Sequence, residues 1–208
     1  MKTKLSFIKI NLAAAVAMLC ITAASPLYSS ADLSLSGAYF NAGDEGALYG
    51  GGVIFSVDID SRYIPENICP FISAYYLGSK ENGGEKDEIS RSYVPVGVGV
   101  EYLRPLYSSP LSLKIAGGGG AGYFRKEEPA RFGAFTDYSK TMSNSATAPF
   151  LFINAGVQYT LSQRMSLFAE AGYHYSFMKE EWSSDPFAGI QVNAGFRIAV
   201  AGKNKELE

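Results

Sequence analysis

The feature that most constrains this chain is a two-residue alternation running through nearly all of it. Apolar or small residues recur at every second position in Val94, Val96, Val98, Val100 and Tyr102, then in Leu111, Leu113, Ile115, Gly117, Gly119, Ala121 and Tyr123. The same period organises Leu151, Ile153, Ala155, Val157, Tyr159 and Leu161. It continues in Met165, Leu167, Ala169, Ala171, Tyr173, Tyr175 and Phe177, and in Ala188, Ile190, Val192, Ala194, Phe196, Ile198 and Val200. Successive side chains of a β-strand point to opposite faces, so this pattern predicts strands with one apolar face. Two earlier runs are nearly as clean: Leu33, Leu35, Gly37, Tyr39, and Val53, Phe55, Val57, Ile59. Residues 69–78 form a weaker strand whose face stays unassigned. The total is eight strands.

The first thirty residues follow another rule. Lys2, Lys4 and Lys9 precede an apolar stretch from Ile10 to Ala24, and small residues follow. This is the layout of a secretory signal peptide, and the stretch is short for a transmembrane helix. The expected cut falls after Ala31, with Ser29 and Ala31 at the small-residue positions, and the bond after Ala24 is the alternative. Leu19, bulky and directly before Cys20, argues against a lipoprotein signal. Removing residues 1–31 leaves Cys69 as the sole cysteine, so no internal disulfide is expected in the exported chain.

Composition closes several other routes. The 18 Lys and Arg nearly balance the 20 Asp and Glu, which gives no basic footprint for nucleic acid. One histidine and two cysteines cannot build the usual zinc or haem sites, so no metal and no cofactor is expected. The polar connections 41–48, 79–92, 125–148 and 179–186 alternate with the mostly shorter 60–67, 104–110 and 162–164. Eight antiparallel strands with long connections at one end and short ones at the other predict an up-and-down β-barrel over residues 32–201, followed by a short polar tail, 202–208. About 11 residues rising roughly 3.3 Å each at about 40° of tilt make a wall about 27 Å tall, the height of a thin bilayer.

Which face looks outward decides the class of function. The apolar runs contain no charge, as lipid demands, and their tyrosines and phenylalanines gather near the run ends, where an aromatic girdle belongs. The opposite face of the last four strands mixes Gly, Ser, Phe and amides, and only Lys114, Glu170 and Arg197 carry formal charge. A water-facing sheet surface holds many more ions. The mixture suits the filled interior of an eight-stranded barrel, so a transmembrane barrel is preferred to a soluble ligand-carrying one. A turn centred on Leu106–Ser109 would set Glu101 opposite Lys114, and the connection 179–186 would set Glu170 diagonal to Arg197. These four residues are expected to form a neutralised interior network that fixes register; a gate or ion path is the alternative.

The strand pieces GGGGAGYF (117–124), FAEAGYHYSF (168–177) and the last strand VNAGFRIAV (192–200) resemble the small outer-membrane β-barrel families: the OmpA transmembrane domain, the OmpX-like proteins and the opacity-type porin-like barrels. The resemblance covers the mature chain and implies a Gram-negative cell outer membrane, with its lipids and lipopolysaccharide as surroundings. It also implies insertion by the outer-membrane assembly machinery, which reads a final strand carrying glycine and alternating hydrophobics. Gly195, Ile198 and Val200 match, but residues 201–208 follow where such chains usually end on an aromatic residue.

Three motifs bear on chemistry. Gly117, Gly119 and Gly122 fit a dinucleotide-loop spacing, yet Tyr123, Phe124 and a charged segment with Pro129 follow where a helix would be needed. His174 and Ser176 are similar to the histidine base and serine nucleophile of outer-membrane lipid A deacylases. Phe177 stands where those enzymes usually carry asparagine, and the pair shares the Glu170 face. Glu180, Glu181 and Asp185 are the candidate orienting acids. A lipid-modifying enzyme is therefore the alternative to a non-catalytic barrel. Segment 125–148 is the longest connection, and its Arg125, Lys126, Arg131 and Lys140 are candidate ligand-binding residues, able to meet phosphates or host and cell-surface ligands.

Overall fold

The structure, a computed structural model, describes residues 28–41, 46–59, 65, 67–82, 88–132, 135–178 and 187–202. Most of the expected export signal, the three candidate orienting acids and residues 203–208 lie outside the described residues.

Eight strands follow in chain order: β1 (Tyr28–Asn41), β2 (Ala47–Ile59), β3 (Ile68–Asn82), β4 (Glu88–Pro105), β5 (Leu111–Phe132), β6 (Phe135–Ser162), β7 (Met165–Ser176) and β8 (Ala188–Gly202). Each pairs antiparallel with its sequence neighbours, and β1 pairs with β8 to close the barrel. Closure pairs every strand on both sides, the arrangement by which a barrel avoids open edges in lipid.

The alternation sorts side chains as the sequence predicts. Leu35, Val53, Val98, Val100, Ile115, Leu151, Ile153, Leu167, Ile190 and Val192 are exposed on the outer surface. Tyr39, Tyr49, Tyr76, Tyr123, Tyr173, Tyr175 and Phe177 ring the end where the long connections lie. Among them Tyr39 packs on Tyr49 with centroids 5.2 Å apart, and Tyr175 on Phe177 at 5.0 Å. Tyr102 and Tyr159 lie toward the short-turn end. Between these belts the outward positions are apolar residues or glycine, a surface that lipid solvates and water does not.

The structure corrects the expected connections. Within segments 79–92 and 125–148, all the described residues, 79–82, 88–92, 125–132 and 135–148, are strand. Beyond the apolar band both faces of a strand are hydrated, so the alternation that reveals strands fades although the ladder continues. The heights are consequently unequal: β7 has 12 residues, β5 has 22 and β6 has 28. At roughly 3.3 Å per residue and about 40° of tilt, β7 spans about 30 Å and β5 about 55 Å. The β5–β6 hairpin thus rises some 25 Å above β7, and β4, with 18 residues, accompanies it part of the way. Its pairing shifts between Pro129 and Ala130. The face of β3 is also resolved: Phe71, Ser73, Tyr75 and Leu77 turn inward, and Ile72, Ala74 and Tyr76 turn outward. Both faces are apolar, which is why its orientation could not be read from the sequence.

Candidate functional site: the filled lumen and the outer hairpin

Interior positions divide the lumen into two layers. Toward the short-turn end lie the four predicted ions, all buried, and they form one network. Lys114 Nζ stands 2.8 Å from Glu170 Oε2 and 3.4 Å from Glu101 Oε2, and Arg197 Nη2 donates to Glu101 Oε2 at 2.7 Å. Glu101 therefore receives two cations and links β4 to β5 and, across the lumen, to β8. Around this chain the Asn154 and Asn193 amides donate to Glu170 Oε1 at 3.2 and 3.0 Å. Arg197 Nε donates to Ser34 Oγ at 3.2 Å. The Lys114 ammonium also sits 4.6 Å from the centre of the Phe168 ring, close enough for a cation–π attraction. Asp32 Oδ2 lies 4.0 Å from Arg197 Nη1. Burial of these charges is tolerable because each meets an opposite charge or an amide.

The register differs from expectation at both pairs. Residues of β4 and β5 pair so that Glu101 meets Ala116, and Lys114 meets Leu103. Glu101 and Lys114 are therefore diagonal neighbours, not opposite ones. The turn is centred one residue later than supposed: Leu106 N–H donates to Leu111 O across it, Tyr107 adopts φ 55°, and Pro110 falls inside it. A proline has no N–H to give a ladder, which moves the pairing outward. On β7 and β8, Glu170 meets Asn193 and Arg197 meets Ser166, so these two ions are four rungs apart. Ser176 N–H donates to Phe187 O, which closes the hairpin earlier than supposed. Arg197 consequently serves Glu101, and Asn193 serves Glu170. Asn154, Asn193 and Phe168 lay on the interior face of the sequence pattern, but their bonds to the ions needed the true register.

Toward the hairpin end the filling is aromatic. Phe40, Tyr93, Phe124, Phe150 and Phe187 are all buried around His174. The imidazole stacks on Phe150 at 4.5 Å, meets Phe40 and Tyr93 edge-on at 5.4 and 5.5 Å, and its Nε2 lies 2.7 Å from Tyr93 Oη. Glycines make room for the rings: a Cβ on Gly122 would overlap Tyr93, and one on Gly52 would overlap Tyr75. Between the two layers remains a cavity of about 20 Å³ lined by Glu101, Asn154, Glu170 and His174, room for about one water.

His174 and Ser176 both face this interior. The serine Oγ donates to Pro149 O at 3.4 Å and the histidine Nε2 is engaged by Tyr93, so neither bond joins a nucleophile to its base. Gly117, Gly119 and Gly122 lie within β5. Among the described residues no group of three His, Cys, Asp or Glu side chains is arranged to hold a metal ion.

The cationic candidates lie on the outer hairpin. Arg125 Nη2 meets Glu127 Oε1 at 2.5 Å and its Nε donates to Ser143 Oγ at 3.1 Å, while Lys126 Nζ meets Glu128 Oε2 at 3.3 Å. Each pair joins residues two apart on one face of β5, and each cation is about one-third exposed. Arg131 belongs to β5 and Lys140 to β6 near the tip, where only the backbone is described. Among the described residues β7 accompanies β6 only as far as Phe150, so the β7-side edge of β6 from Met142 to Ala148 has no strand beside it.

An apolar exterior, two aromatic belts and a lumen plugged by side chains define a small transmembrane β-barrel of eight strands. The same fold is found in a major outer membrane protein from Thermus thermophilus, at TM-score 0.63 and 12% identity, covering 82% of this chain and 98% of that one. It is found too in Ail, the attachment invasion locus protein of Yersinia pestis, at TM-score 0.51 and 17% identity, covering 84% and 100%. No family model and no curated protein matches the sequence.

Proposed function

We propose that the chain is an integral outer-membrane barrel that acts at the cell surface by contact, through its outer hairpin, and not as a wide pore or a catalyst. Its short turns and both chain ends would face the periplasm and its hairpins the exterior, in the manner of outer-membrane barrels. The observation that carries this reading is the difference between lumen and hairpin. Side chains fill the lumen down to a cavity of about 20 Å³, whereas the β5–β6 hairpin stands some 25 Å beyond the band that the bilayer covers.

The edge of β6 that no described strand covers supports a contact role in a particular way. Residues Met142–Ala148 carry no charge and no proline, the devices by which exposed strand edges usually avoid unwanted pairing. An extended segment of a host or cell-surface ligand could add to such an edge through backbone hydrogen bonds. The paired state of Arg125 and Lys126 argues for this mode over a simple cationic patch, since each cation is already balanced by a carboxylate.

Two measurements test the proposal. Gel migration of detergent-extracted protein, boiled and unboiled, should give a compact band that shifts on heating; a single unshifted band recovered in the soluble fraction overturns the membrane assignment. Cells displaying the full chain should adhere to a cultured epithelial layer better than cells whose residues 127–143 are replaced by a two-residue turn. Equal adherence, with both barrels heat-shifted, overturns the contact role.

A further inference from the structure

We infer that the export signal is removed on the N-terminal side of Tyr28, at the bond after Ala24, and not after Ala31 as the small-residue pattern first suggests. The inference rests on the outer-membrane reading, because only an exported chain meets the peptidase that removes such a signal. The reaction is hydrolysis: water adds across the Ala24–Ser25 peptide bond, leaving a carboxylate on Ala24 and an ammonium on Ser25.

The reason is that residues 28–31 already belong to the wall. On one side of β1, Tyr28 pairs with Ile59, Ser30 with Asp58 and Ala31 with Val57; on the other, Ser30 pairs with Gly202 and Ala31 with Ala201. β1 and β8 form the seam that closes the barrel, and these are its last rungs at the short-turn end. Ala31 itself is only 3% exposed. A cut after Ala31 would strip both neighbours of these partners, leaving Val57–Ile59 and Ala201–Gly202 as open edges, the condition that barrel closure exists to avoid.

The charge arrangement points the same way. Asp32 Oδ2 faces Arg197 Nη1 at the mouth of the ionic layer. A chain beginning at Asp32 would carry its terminal ammonium on the same residue as that carboxylate, where it would compete with Arg197 for the negative charge. With the cut upstream, the ammonium is carried by Ser25, three residues before Tyr28 and seven before Asp32. Upstream, the bond after Ala24 has small residues at both positions that the peptidase reads, Thr22 and Ala24. The bond after Ser25 would put Pro26 directly behind the cut.

Intact mass and N-terminal sequencing of protein extracted from the outer membrane test this directly. The expected chain begins Ser-Pro-Leu-Tyr. The variant A24L should accumulate as unprocessed precursor, while S29L, which spoils the downstream site, should still be cut at the same bond. A mature chain beginning at Asp32, or S29L blocked while A24L is processed, overturns the inference while leaving the membrane reading intact. Recovery of the chain in the cytoplasm with Met1 still attached overturns the export reading itself.

Discussion

The two halves of the lumen occupy the same narrow tube and are filled by opposite chemistry. Near the short-turn end, Glu101, Lys114, Glu170 and Arg197 hold one another in a charged chain braced by Asn154, Asn193 and Ser34. Near the hairpin end, Phe40, Tyr93, Phe150 and Phe187 pack around His174 with one polar bond among them. The ionic layer is directional: each bond demands a given partner on a given strand, and so the layer specifies which rung meets which. The aromatic layer excludes water and tolerates small shifts. A barrel that must close in one register gains specificity from the first and a dry, well-packed interior from the second.

The largest expected effect breaks the ionic side. Glu101→Ala leaves Lys114 and Arg197 facing each other with one carboxylate fewer, a loss of about 3–5 kcal/mol for a buried charge deprived of its partner. It should be seen as a lower urea midpoint of the folded, unboiled gel band, and equal resistance in mutant and parent would refute the network. Removing charges in balance sharpens the point: Lys114→Met combined with Glu170→Gln should cost less than the two single changes added together.

A smaller loss is expected on the aromatic side when its shape is violated. Gly122→Ala drives a methyl group into the Tyr93 ring, and overpacking of this kind costs about 1–3 kcal/mol, readable in the same urea series. If Gly122→Ala matched Glu101→Ala, the upper layer would be as exacting as the lower, and the contrast would fail. Tyr93→Phe removes the hydroxyl that bonds His174 and should cost about 1 kcal/mol. Ser176→Ala removes one long bond to Pro149 O from a buried site and should cost no more than about 1 kcal/mol. Mass spectra of lipid A from cells making the parent and the Ser176→Ala protein should be the same; a difference would revive the enzymatic alternative.

What the sequence made legible follows from where a pattern had a physical cause to exist. Within the bilayer one face of each strand must be apolar, so seven of the eight strands announced their faces, and the shared face of Lys114, Glu170 and Arg197 followed. Strand β3 did not, because Phe71, Tyr75 and Leu77 inside and Ile72, Ala74 and Tyr76 outside make it apolar throughout. Above the belts no solvent contrast enforces alternation, and the outer halves of β5 and β6 read as loop. The pairings of the ions were harder still. Moving a turn by one residue, as Pro110 does, changes which side chains meet while leaving every face unchanged. Faces are a local property of the chain; partners are set by its turns.

The unequal strand lengths have a consequence for how such a molecule can vary. All eight strands are joined below the level of Phe150 and Ser176, and among the described residues the tall hairpin is attached to the cylinder along β4, β5 and β6. Insertions, deletions or replacements above that level leave the cylinder's own ladder intact. The part that meets the outside world is free to diversify, while the part that meets lipid is held to a single plan.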